Sequence, residues 1–358
     1  MTPLIRAVID TRALRANLQT LRTRAPRARV LAVIKANAYG HGLVPTALAL
    51  PQADAFAVAR LEEGMALREA GVAQHIVLLE GVFEEEQLIE AAVHRFEIVV
   101  HDPLQVALLE AFRGSFRFVI WLKVDTGMNR LGFRPEEFPA VLERLRGIPA
   151  SPREIRVLTH LARAEERDSE ATPEQLKRFR SLTAGLGLAT SIGNSAGILG
   201  WPEAHGEWIR PGLALYGLSP FPGEPAGSFG LEPVMSLEST VIALRHVPRG
   251  ERVGYGGAWQ APRDSRIAII AGGYGDGLLR SLPSGTPVMV GGARAPLVGR
   301  ISMDMIAVDV TELDPVNVGM RCVLWGSGLS VDELAARAGT ISYELLCGVR
   351  QRVPHVFI

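Results

Sequence analysis

Short apolar runs alternate with amphipathic stretches through the first two-thirds of the chain. Short runs of this kind, bounded by turn residues, are typical of strands buried on both faces of a parallel sheet. Eight such strands are predicted, at Val30–Ile34, Ala53–Ala59, His75–Leu79, Phe96–Val100, Phe116–Val124, Ile155–His160, Leu188–Ile192 and Trp208–Tyr216.

Between these runs the apolar residues recur with helical spacing. Thr172 is expected to be an N-cap, because Pro173 and an acidic residue follow it, as at many helix starts. Eight strands, each followed by a helix or a loop, predict a (β/α)8 barrel of the TIM type rather than an open doubly wound sheet. The predicted helices include Leu61–Ala70, Glu85–His94, Leu104–Phe112 and Thr172–Leu186.

The pattern changes after the Pro/Gly-rich segment 221–227. Short alternating strands separated by Gly/Pro turns predict a mostly β domain with one short helix, Val331–Ala338. We therefore expect a barrel over residues 1–228, whose first few residues could pair with the second domain, and a β-rich domain over 229–358. The predicted strands of the second domain are Met235–His246, Arg266–Ala271, Pro287–Val290, Met305–Val310 and Cys322–Trp325.

Composition narrows the function only by exclusion. The 358 residues include 38 basic and 38 acidic ones, so no net field attracts nucleic acid or an anionic membrane. Cys322 and Cys347 are too few for a disulfide framework and match no zinc spacing. The amino terminus has no apolar segment of the signal-peptide kind, and no stretch is long enough to span a bilayer. We expect a soluble, cytoplasmic protein without a metal site.

Lys35 is the first candidate for chemistry, because it follows the apolar run Val30–Ile34. A buried ammonium must pair, shift its pKa or react. A lysine that loses its proton easily is what Schiff-base chemistry requires. An ordinary strand-end lysine would instead extend its amine to solvent. This residue alone leaves both interpretations open.

Further polar residues follow the other predicted strands, where barrel enzymes carry their active sites. Any one of them is explained by the polarity of strand ends, whereas the whole set favours a functional cleft. The segments 194–197 and 210–213 could also cradle a phosphate with backbone N–H groups. A phosphate site beside a lysine is compatible with pyridoxal phosphate. The strand-end set comprises Lys35, Tyr39, Lys123, Asp125, Arg130, His160, Asn194, Ser195 and Arg210.

Sequence motifs over nearly the whole chain carry a resemblance to a known family. The most specific of them is AVIKANAYGHG at 32–42, followed by KVDTGMNRLG at 123–132 and THLA at 159–162. Asn194-Ser195, RPGLALYG at 210–217, VGYG at 253–256, GYGDG at 273–277 and GRISMD at 299–304 follow in the same order. In these motifs the chain resembles the alanine racemases, a family of pyridoxal-phosphate-dependent barrel enzymes.

The resemblance implies a two-base racemisation of alanine. Lys35 would bind pyridoxal 5′-phosphate as a Schiff base and then act on the proton of the D face, and Tyr255 would act on the L face. Arg210 would face the pyridine nitrogen, supported by His160. In this family the tyrosine comes from the partner subunit, which implies a head-to-tail homodimer with Tyr255 and Met303 entering the partner's active site. The reaction would interconvert L-alanine and D-alanine and supply D-alanine for peptidoglycan.

The resemblance also assigns binding roles. The cofactor phosphate would be held by Tyr39, Ser195, Gly212 and Leu213. Arg130 would contact the cofactor's phenolic oxygen and, with the Met303 backbone N–H, the substrate carboxylate. Lys123 would be either carbamylated, orienting Arg130, or a plain lysine. A substrate corridor would be lined by Tyr274, Arg280 and Glu165.

Two positions depart from some relatives, and three alternative functions follow from the same motifs. Ser302 replaces a cysteine, and Gln351 stands where some members have a tyrosine near the phosphate, so that contact is not carried over. A decarboxylase of the same barrel class would need a charged side-chain pocket, and a non-catalytic cofactor carrier would lack both Tyr255 and the second domain. A related racemase acting on serine remains an alternative.

Overall fold

The computed structural model describes residues 3–358. The chain forms two compact units. The barrel unit comprises residues 14–38 and 42–232. The β-rich unit comprises residues 233–358, the described residues up to Ala13, and the short segment Tyr39–His41.

A closed parallel barrel is the frame of the barrel unit. After strand β1 (Arg6–Ile9), which belongs to the β-rich unit, eight strands β2–β9 pair in chain order, and β9 pairs back to β2 through Val30 and Ile209. The predicted TIM-like barrel is thereby confirmed. Most residues of these strands are buried, as expected where helices cover one face and side chains fill the other. The barrel strands β2–β9 are Arg29–Val33, Ala55–Val58, His75–Leu78, Glu97–Val100, Val119–Lys123, Glu154–Leu158, Thr190–Ser191 and Trp208–Ile209.

The eighth strand is shorter than the predicted segment Trp208–Tyr216. It ends at Ile209, and Leu213–Tyr216 forms a 3₁₀ turn. Pro211 and Gly212 lie between the two elements, and a proline has no N–H to continue a strand ladder. The turn is tied back to the barrel because the Tyr216 hydroxyl donates to the Val33 carbonyl at 3.0 Å.

The helices between residues 11 and 200 follow the strands. The helix predicted to begin after an N-cap at Thr172 instead begins at Ala171, so that expectation was wrong. Thr172 is fully buried in the first turn, and its hydroxyl caps no backbone N–H there. No helix in the described chain is long and apolar enough to cross a membrane. These helices are Thr11–Arg24, Leu43–Ala49, Leu61–Glu69, Glu85–Val93, Pro103–Ala111, Phe138–Arg146, Ala171–Thr183 and Ser195–Gly200.

An eight-stranded sheet organises the β-rich unit, with strand order β13-β16-β15-β14-β17-β10-β1-β18. β1 pairs antiparallel with β10 and parallel with β18, so both ends of the chain enter this sheet. All five predicted strands are present, and the helix Val331–Ala338 is also as predicted. Four strands, β11, β12, β15 and β18, and the helix Ser342–Cys347 were not predicted from the sequence. Strands β10–β18 are Met235–Val247, Arg252–Val253, Trp259–Gln260, Ser265–Ala271, Pro287–Val290, Ala293–Val298, Met305–Asp309, Arg321–Trp325 and His355–Phe357.

Candidate active site

Lys35 begins an unusual backbone turn at the end of β2. Ala36, Asn37, Ala38 and Tyr39 all have positive φ angles, between 52° and 55°, which makes this segment a left-handed helical turn. Each L-residue in this conformation costs about 1–2 kcal/mol. The glycines of this segment, Gly40 and Gly42, come only after these four strained non-glycine residues. Strain of this kind persists only where surrounding contacts hold it, and such places are often functional sites.

Hydrogen bonds from side chains hold this turn on both sides. The Glu63 carboxylate accepts from the Ala36 N–H at 2.7 Å with one oxygen and from the Ala59 N–H at 2.8 Å with the other. The Asn37 side-chain oxygen accepts from the Leu43 N–H at 2.8 Å. Glu63, which the sequence analysis did not single out, therefore anchors the backbone directly after Lys35.

Arg210 is a buried cation held by neutral partners. Its side chain donates to Ser191 Oγ at 2.7 Å and to the carbonyls of Thr159 at 2.6 Å and Ile192 at 3.2 Å. Burial lowers the pKa of Arg210 to about 10, which still leaves it protonated at neutral pH. The remaining contact joins its Nη2 to His160 Nδ1 at 3.3 Å. Because a guanidinium only donates, Nδ1 accepts, and the proton of the neutral imidazole is assigned to Nε2.

Several other cations surround Arg210. Lys123 is only 9% exposed, and its pKa falls to about 8 because of burial and then the positive charges of Arg210, Arg130 and Lys35, with Asp125 opposing the shift. Lys35, Lys123, Arg130 and Arg210 therefore make one region of positive potential at the carboxyl ends of the strands. Such a region favours an anionic ligand.

The same region sets the protonation of His160. Burial lowers its pKa well below the ordinary histidine value, and the charges of Arg210, Lys123 and Arg130 lower it further. The imidazole is therefore neutral at physiological pH. A neutral imidazole has an unprotonated ring nitrogen that can accept a hydrogen bond from Arg210, whereas a charged imidazolium has none.

Asp125 shapes the loop that carries Arg130. One of its carboxylate oxygens accepts from the backbone N–H groups of Gly127, Met128 and Asn129, at 2.9, 2.9 and 3.1 Å. Gly132 closes the loop with a φ of 123°, and a Cβ there would lie 2.8 Å from the Asp125 nitrogen. The spacing between Asp125 and Gly132 in the motif at 123–132 is thus explained by a turn that the aspartate caps and by a close approach of two backbone segments at the glycine.

The two segments predicted as anion cradles lie against each other. Ser195 Oγ accepts from the backbone N–H groups of Gly212 at 3.2 Å and Ala214 at 3.1 Å. Asn194 caps the helix that starts at Ser195, because its side chain accepts from the Gly197 N–H at 2.9 Å. Leu213 is buried between the two donors. Hydroxyl and backbone N–H donors thus converge at one place in the barrel unit, as a phosphate site requires.

The remaining predicted residues are exposed, and most belong to the β-rich unit. Tyr255, in a 3₁₀ turn, is 67% exposed, and Met303 is 52% exposed. Tyr274 and Arg280 are exposed in the same unit, whereas Glu165 is exposed on a loop of the barrel unit. Each is accessible to a ligand or a second chain.

The loops of Tyr274 and Met303 are joined by backbone hydrogen bonds. The Tyr274 N–H donates to the Ser302 carbonyl at 3.1 Å, and the Gly275 N–H donates to the Met303 carbonyl at 2.9 Å. A Cβ at Gly273 would lie 2.1 Å from the Ser302 carbonyl oxygen. The GYGDG motif at 273–277 therefore requires a glycine at its first position, because two backbone segments approach closely there.

An ion-pair network supports those loops. Arg352 donates to both carboxylate oxygens of Asp276, at 2.7 and 2.9 Å, and to Asp304 at 2.7 Å. Asp276 in turn accepts from the Gly273 N–H at 2.9 Å. The sequence analysis did not single out Arg352 or Asp276, although both lie in or beside its motifs.

Tyr39 follows the left-handed turn and belongs to the β-rich unit. Its ring centroid lies 5.6 Å from that of Tyr343. Burial, together with the neighbouring Tyr343 and Cys347, raises the pKa of Tyr39. Its hydroxyl is therefore protonated at neutral pH and can donate to an anionic group.

Comparison with known proteins identifies the family. The family model for the alanine racemase N-terminal domain matches residues 9–220, and that for the C-terminal domain matches residues 234–357. The alanine racemase of Nitrosospira multiformis is 47% identical over 353 residues, which cover 98% of this chain and 99% of the relative. The chain belongs to the alanine racemase family.

Two further relatives of the alanine racemase family agree in length and fold. The biosynthetic alanine racemase of Salmonella typhimurium is 47% identical over 352 residues and covers 98% of each chain. The solved structure of the biosynthetic alanine racemase from Pseudomonas aeruginosa has a TM-score of 0.96 at 43% identity, over 100% of both chains.

The geometry brings only part of the predicted alanine racemase site together. In the barrel unit the structure gathers Lys35, Lys123, Arg130, His160 and Arg210, with Ser195 beside Gly212. Ser191, missed by the sequence analysis, could have been found from its strand, because alternation turns it toward the barrel interior. Glu63 carries no comparable sequence signal, since it acts across 27 residues on a backbone N–H.

Proposed function

We propose that this chain is an alanine racemase, which interconverts L-alanine and D-alanine with pyridoxal 5′-phosphate and supplies D-alanine for peptidoglycan. The observation that carries the proposal is the positive region around Lys35, which includes the buried Arg210. It occurs in a chain that is 47% identical to a named alanine racemase over almost its full length. We further propose a domain division into a cofactor-binding barrel, 1–228, and a second domain, 229–358, and a cytoplasmic location.

The donor set fits the proposed cofactor. Lys35 offers an amine at the start of a rigid turn, and hydroxyl and backbone donors at Ser195, Gly212 and Leu213 suit a phosphate, with the protonated Tyr39 hydroxyl as a further donor. When bound, pyridoxal phosphate withdraws electrons from the amino acid and makes its α-proton removable. The protein contributes binding, orientation and proton transfer.

Arg210 is proposed to face the pyridine nitrogen. With a pKa of about 10 it is protonated at neutral pH, so it donates a hydrogen bond without transferring its proton. Ser191 and the carbonyl of Thr159 hold the guanidinium in one orientation. His160, kept neutral by burial and nearby cations, accepts from Arg210 and supports it without adding charge.

Two bases on opposite faces are needed for racemisation, because a single base would return the proton mainly to the face from which it came. We assign the D-face proton to the Lys35 amine and the L-face proton to the Tyr255 hydroxyl. The exposure of Tyr255 supports a position where it serves the active site of a second chain. The proposed assembly is a head-to-tail homodimer with Tyr255 and Met303 entering the partner's site.

Substrate binding is proposed to use the exposed cations. Arg130, on the loop capped by Asp125, and the Met303 backbone N–H would hold the alanine carboxylate. Tyr274, Arg280 and Glu165 would line the path to the site. The Lys123 amine, with a pKa of about 8, has a neutral fraction at physiological pH that can add carbon dioxide. The resulting carbamate would carry a negative charge that orients Arg130.

Absorbance and circular dichroism test the proposal directly. Purified protein should carry a visible absorbance band that borohydride fixes onto Lys35, and the circular dichroism of L-alanine incubated with it should decay to zero. A band without that decay would identify a carrier or an enzyme for another substrate, and L-serine run in parallel tests the alternative racemase. Absence of any band after adding pyridoxal phosphate would contradict the proposal.

A further inference from the structure

A cavity opens at the opposite end of the barrel from Lys35. It measures about 450 Å³ and includes residues at the starts of three neighbouring strands, His75, Glu97 and Val119. Val119 and Lys123 are the two ends of β6, so this cavity lies about 13 Å along the strand from the catalytic region. Because the strands are parallel, the cavity is separate from the site described above.

Four arginines line this cavity: Arg68, Arg95, Arg117 and Arg153. Within residues 3–358, no carboxylate lies within ion-pair distance of any of these guanidinium groups. The acidic lining residue, Glu97, is buried and already engaged: one oxygen accepts from Trp121 Nε1 at 2.7 Å and Arg156 Nη1 at 3.0 Å, and the other lies 3.0 Å from His75 Nδ1. The lining therefore has an excess of positive charge, which the neighbouring Glu154 offsets only in part at Arg153.

Two of the four arginines build the walls. Arg68 donates to the carbonyls of Val72 and Gln74 at 2.6 and 2.8 Å, which hold the turn before β4. Arg117 donates to the Ser151 carbonyl at 2.9 Å and so holds the loop that precedes Arg153. Carbonyl acceptors leave the charge of both groups unneutralised.

The other two arginines remain available. In the described part of the chain, neither Arg95 nor Arg153 makes a side-chain hydrogen bond or an ion pair, and both are exposed at the cavity. Arg95 also has a φ of 55° at the end of the helix Glu85–Val93, a position where glycine is the favoured residue. An arginine there costs backbone energy and presents a guanidinium to the cavity.

The rest of the lining is apolar. Val72, Ala73, Phe116 and Val119 contribute to the walls, and Phe116 is half-buried there. An inorganic anion would leave this surface uncovered, whereas the volume suits a metabolite-sized ligand. Guanidinium groups beside an apolar wall match a molecule with phosphates at one end and a flat ring at the other.

We propose that the cavity at the amino-terminal end of the barrel binds a small organic phosphate with a planar ring, of the nucleotide class. Its phosphates lie against Arg95 and Arg153, near the charge of Arg117, and its ring packs on Phe116. The site is independent of the racemase chemistry, because none of its residues belongs to the region around Lys35.

Calorimetric titration with ADP at low salt tests this site. The protein is first saturated with pyridoxal phosphate and reduced with borohydride, so that the Lys35 region cannot take up the phosphate. One ADP per chain should bind, and Arg95→Ala/Arg153→Ala should weaken binding at least about tenfold. The matched control, Arg15→Ala/Arg24→Ala, removes the same charge from the exposed face of another helix and should bind ADP like the parent.

Three results would overturn the proposal. Absence of binding heat at millimolar ADP would show that the cavity does not bind nucleotides. Binding unchanged by Arg95→Ala/Arg153→Ala would show that ADP binds elsewhere on the protein. Pyrophosphate that binds as tightly as ADP would refute the contribution of the ring. Adenosine is expected not to bind, and Phe116→Ala should weaken ADP binding while leaving pyrophosphate binding unchanged.

Discussion

The Glu63 carboxylate accepts a hydrogen bond from the backbone N–H of Ala36 at 2.7 Å, directly after Lys35. This contact crosses from the helix Leu61–Glu69 to a left-handed turn of four L-residues. The backbone directly after Lys35, the proposed attachment point of the cofactor, is therefore held by a carboxylate from another helix. The contact with Glu63 helps to hold the strained backbone of the turn in place.

Glu63→Ala should loosen this turn. The loss of a charged acceptor for three backbone N–H groups, those of Ala36, Ala59 and Arg60, is expected to lower the free energy of unfolding by about 1.5–3 kcal/mol and to slow racemisation. Denaturant unfolding and turnover measure the two effects. Glu62→Ala, an exposed neighbour in the same first turn, is the matched control and should change neither. Equal behaviour of the two variants would show that Glu63 does not position the lysine.

Lys35→Ala tests the proposed attachment point of pyridoxal phosphate. Without the amine no Schiff base with the protein can form, so the visible absorbance band and borohydride fixation should both be lost. Lys177→Ala, a lysine on the helix Ala171–Thr183, should keep both signals. A band that persists in Lys35→Ala and can still be fixed would assign the attachment to another residue.

Tyr255→Phe separates proton transfer from cofactor binding. The change removes only the hydroxyl of an exposed residue, so the fold and the absorbance band should remain while turnover falls about 100-fold or more. Turnover should be measured from both L-alanine and D-alanine, since one base serves each face. Near-normal rates in both directions would exclude Tyr255 as the second base.

The barrel could be predicted from sequence because each short apolar run is buried on both faces and leaves a clear signal. The left-handed turn could not, because Ala36 and Ala38 have no intrinsic preference for positive φ, and the tolerance of Asn37 for it does not predict a run of four such residues. Their conformation depends on Glu63, a tertiary contact. The helix near Thr172 likewise begins two residues earlier than its capping pattern predicts, with the Thr172 side chain buried in its first turn.

The positions of the candidate site residues could be predicted from the sequence more fully than their roles. The positions of Lys35, Lys123, His160 and Arg210 at strand ends follow from barrel geometry alone. Their roles came only from the family resemblance, since position in a barrel does not distinguish a base from a binding group. Ser191 was missed because alternation along its strand indicates only that it faces the barrel interior, and its role follows from the 2.7 Å contact with Arg210.

The depressed pKa of Lys123 predicts a pH dependence of stability. Its pKa is about 8 in the folded state against 10.5 as the ordinary value, so between these values the unfolded chain binds more protons. Stability should therefore rise as pH increases from about 8 to 10.5, by about 3 kcal/mol at most, and this gain is lost as pH falls through 8. Urea unfolding of parent and Lys123→Met in buffers free of carbon dioxide measures it. Parallel curves for both proteins would contradict the assignment.

Gly273→Ala probes the close approach between the loops of Tyr274 and Met303. A Cβ at this position would lie 2.1 Å from the Ser302 carbonyl oxygen, so one of the two backbones must move. Overpacking of this kind costs about 1–3 kcal/mol, and displacement of the Met303 N–H should raise KM for alanine more than it lowers kcat. Gly227→Ala is the control, because an added Cβ there meets nothing within 4 Å and its φ is not positive. If KM stays unchanged in Gly273→Ala although stability falls, the Met303 backbone does not contribute to substrate binding.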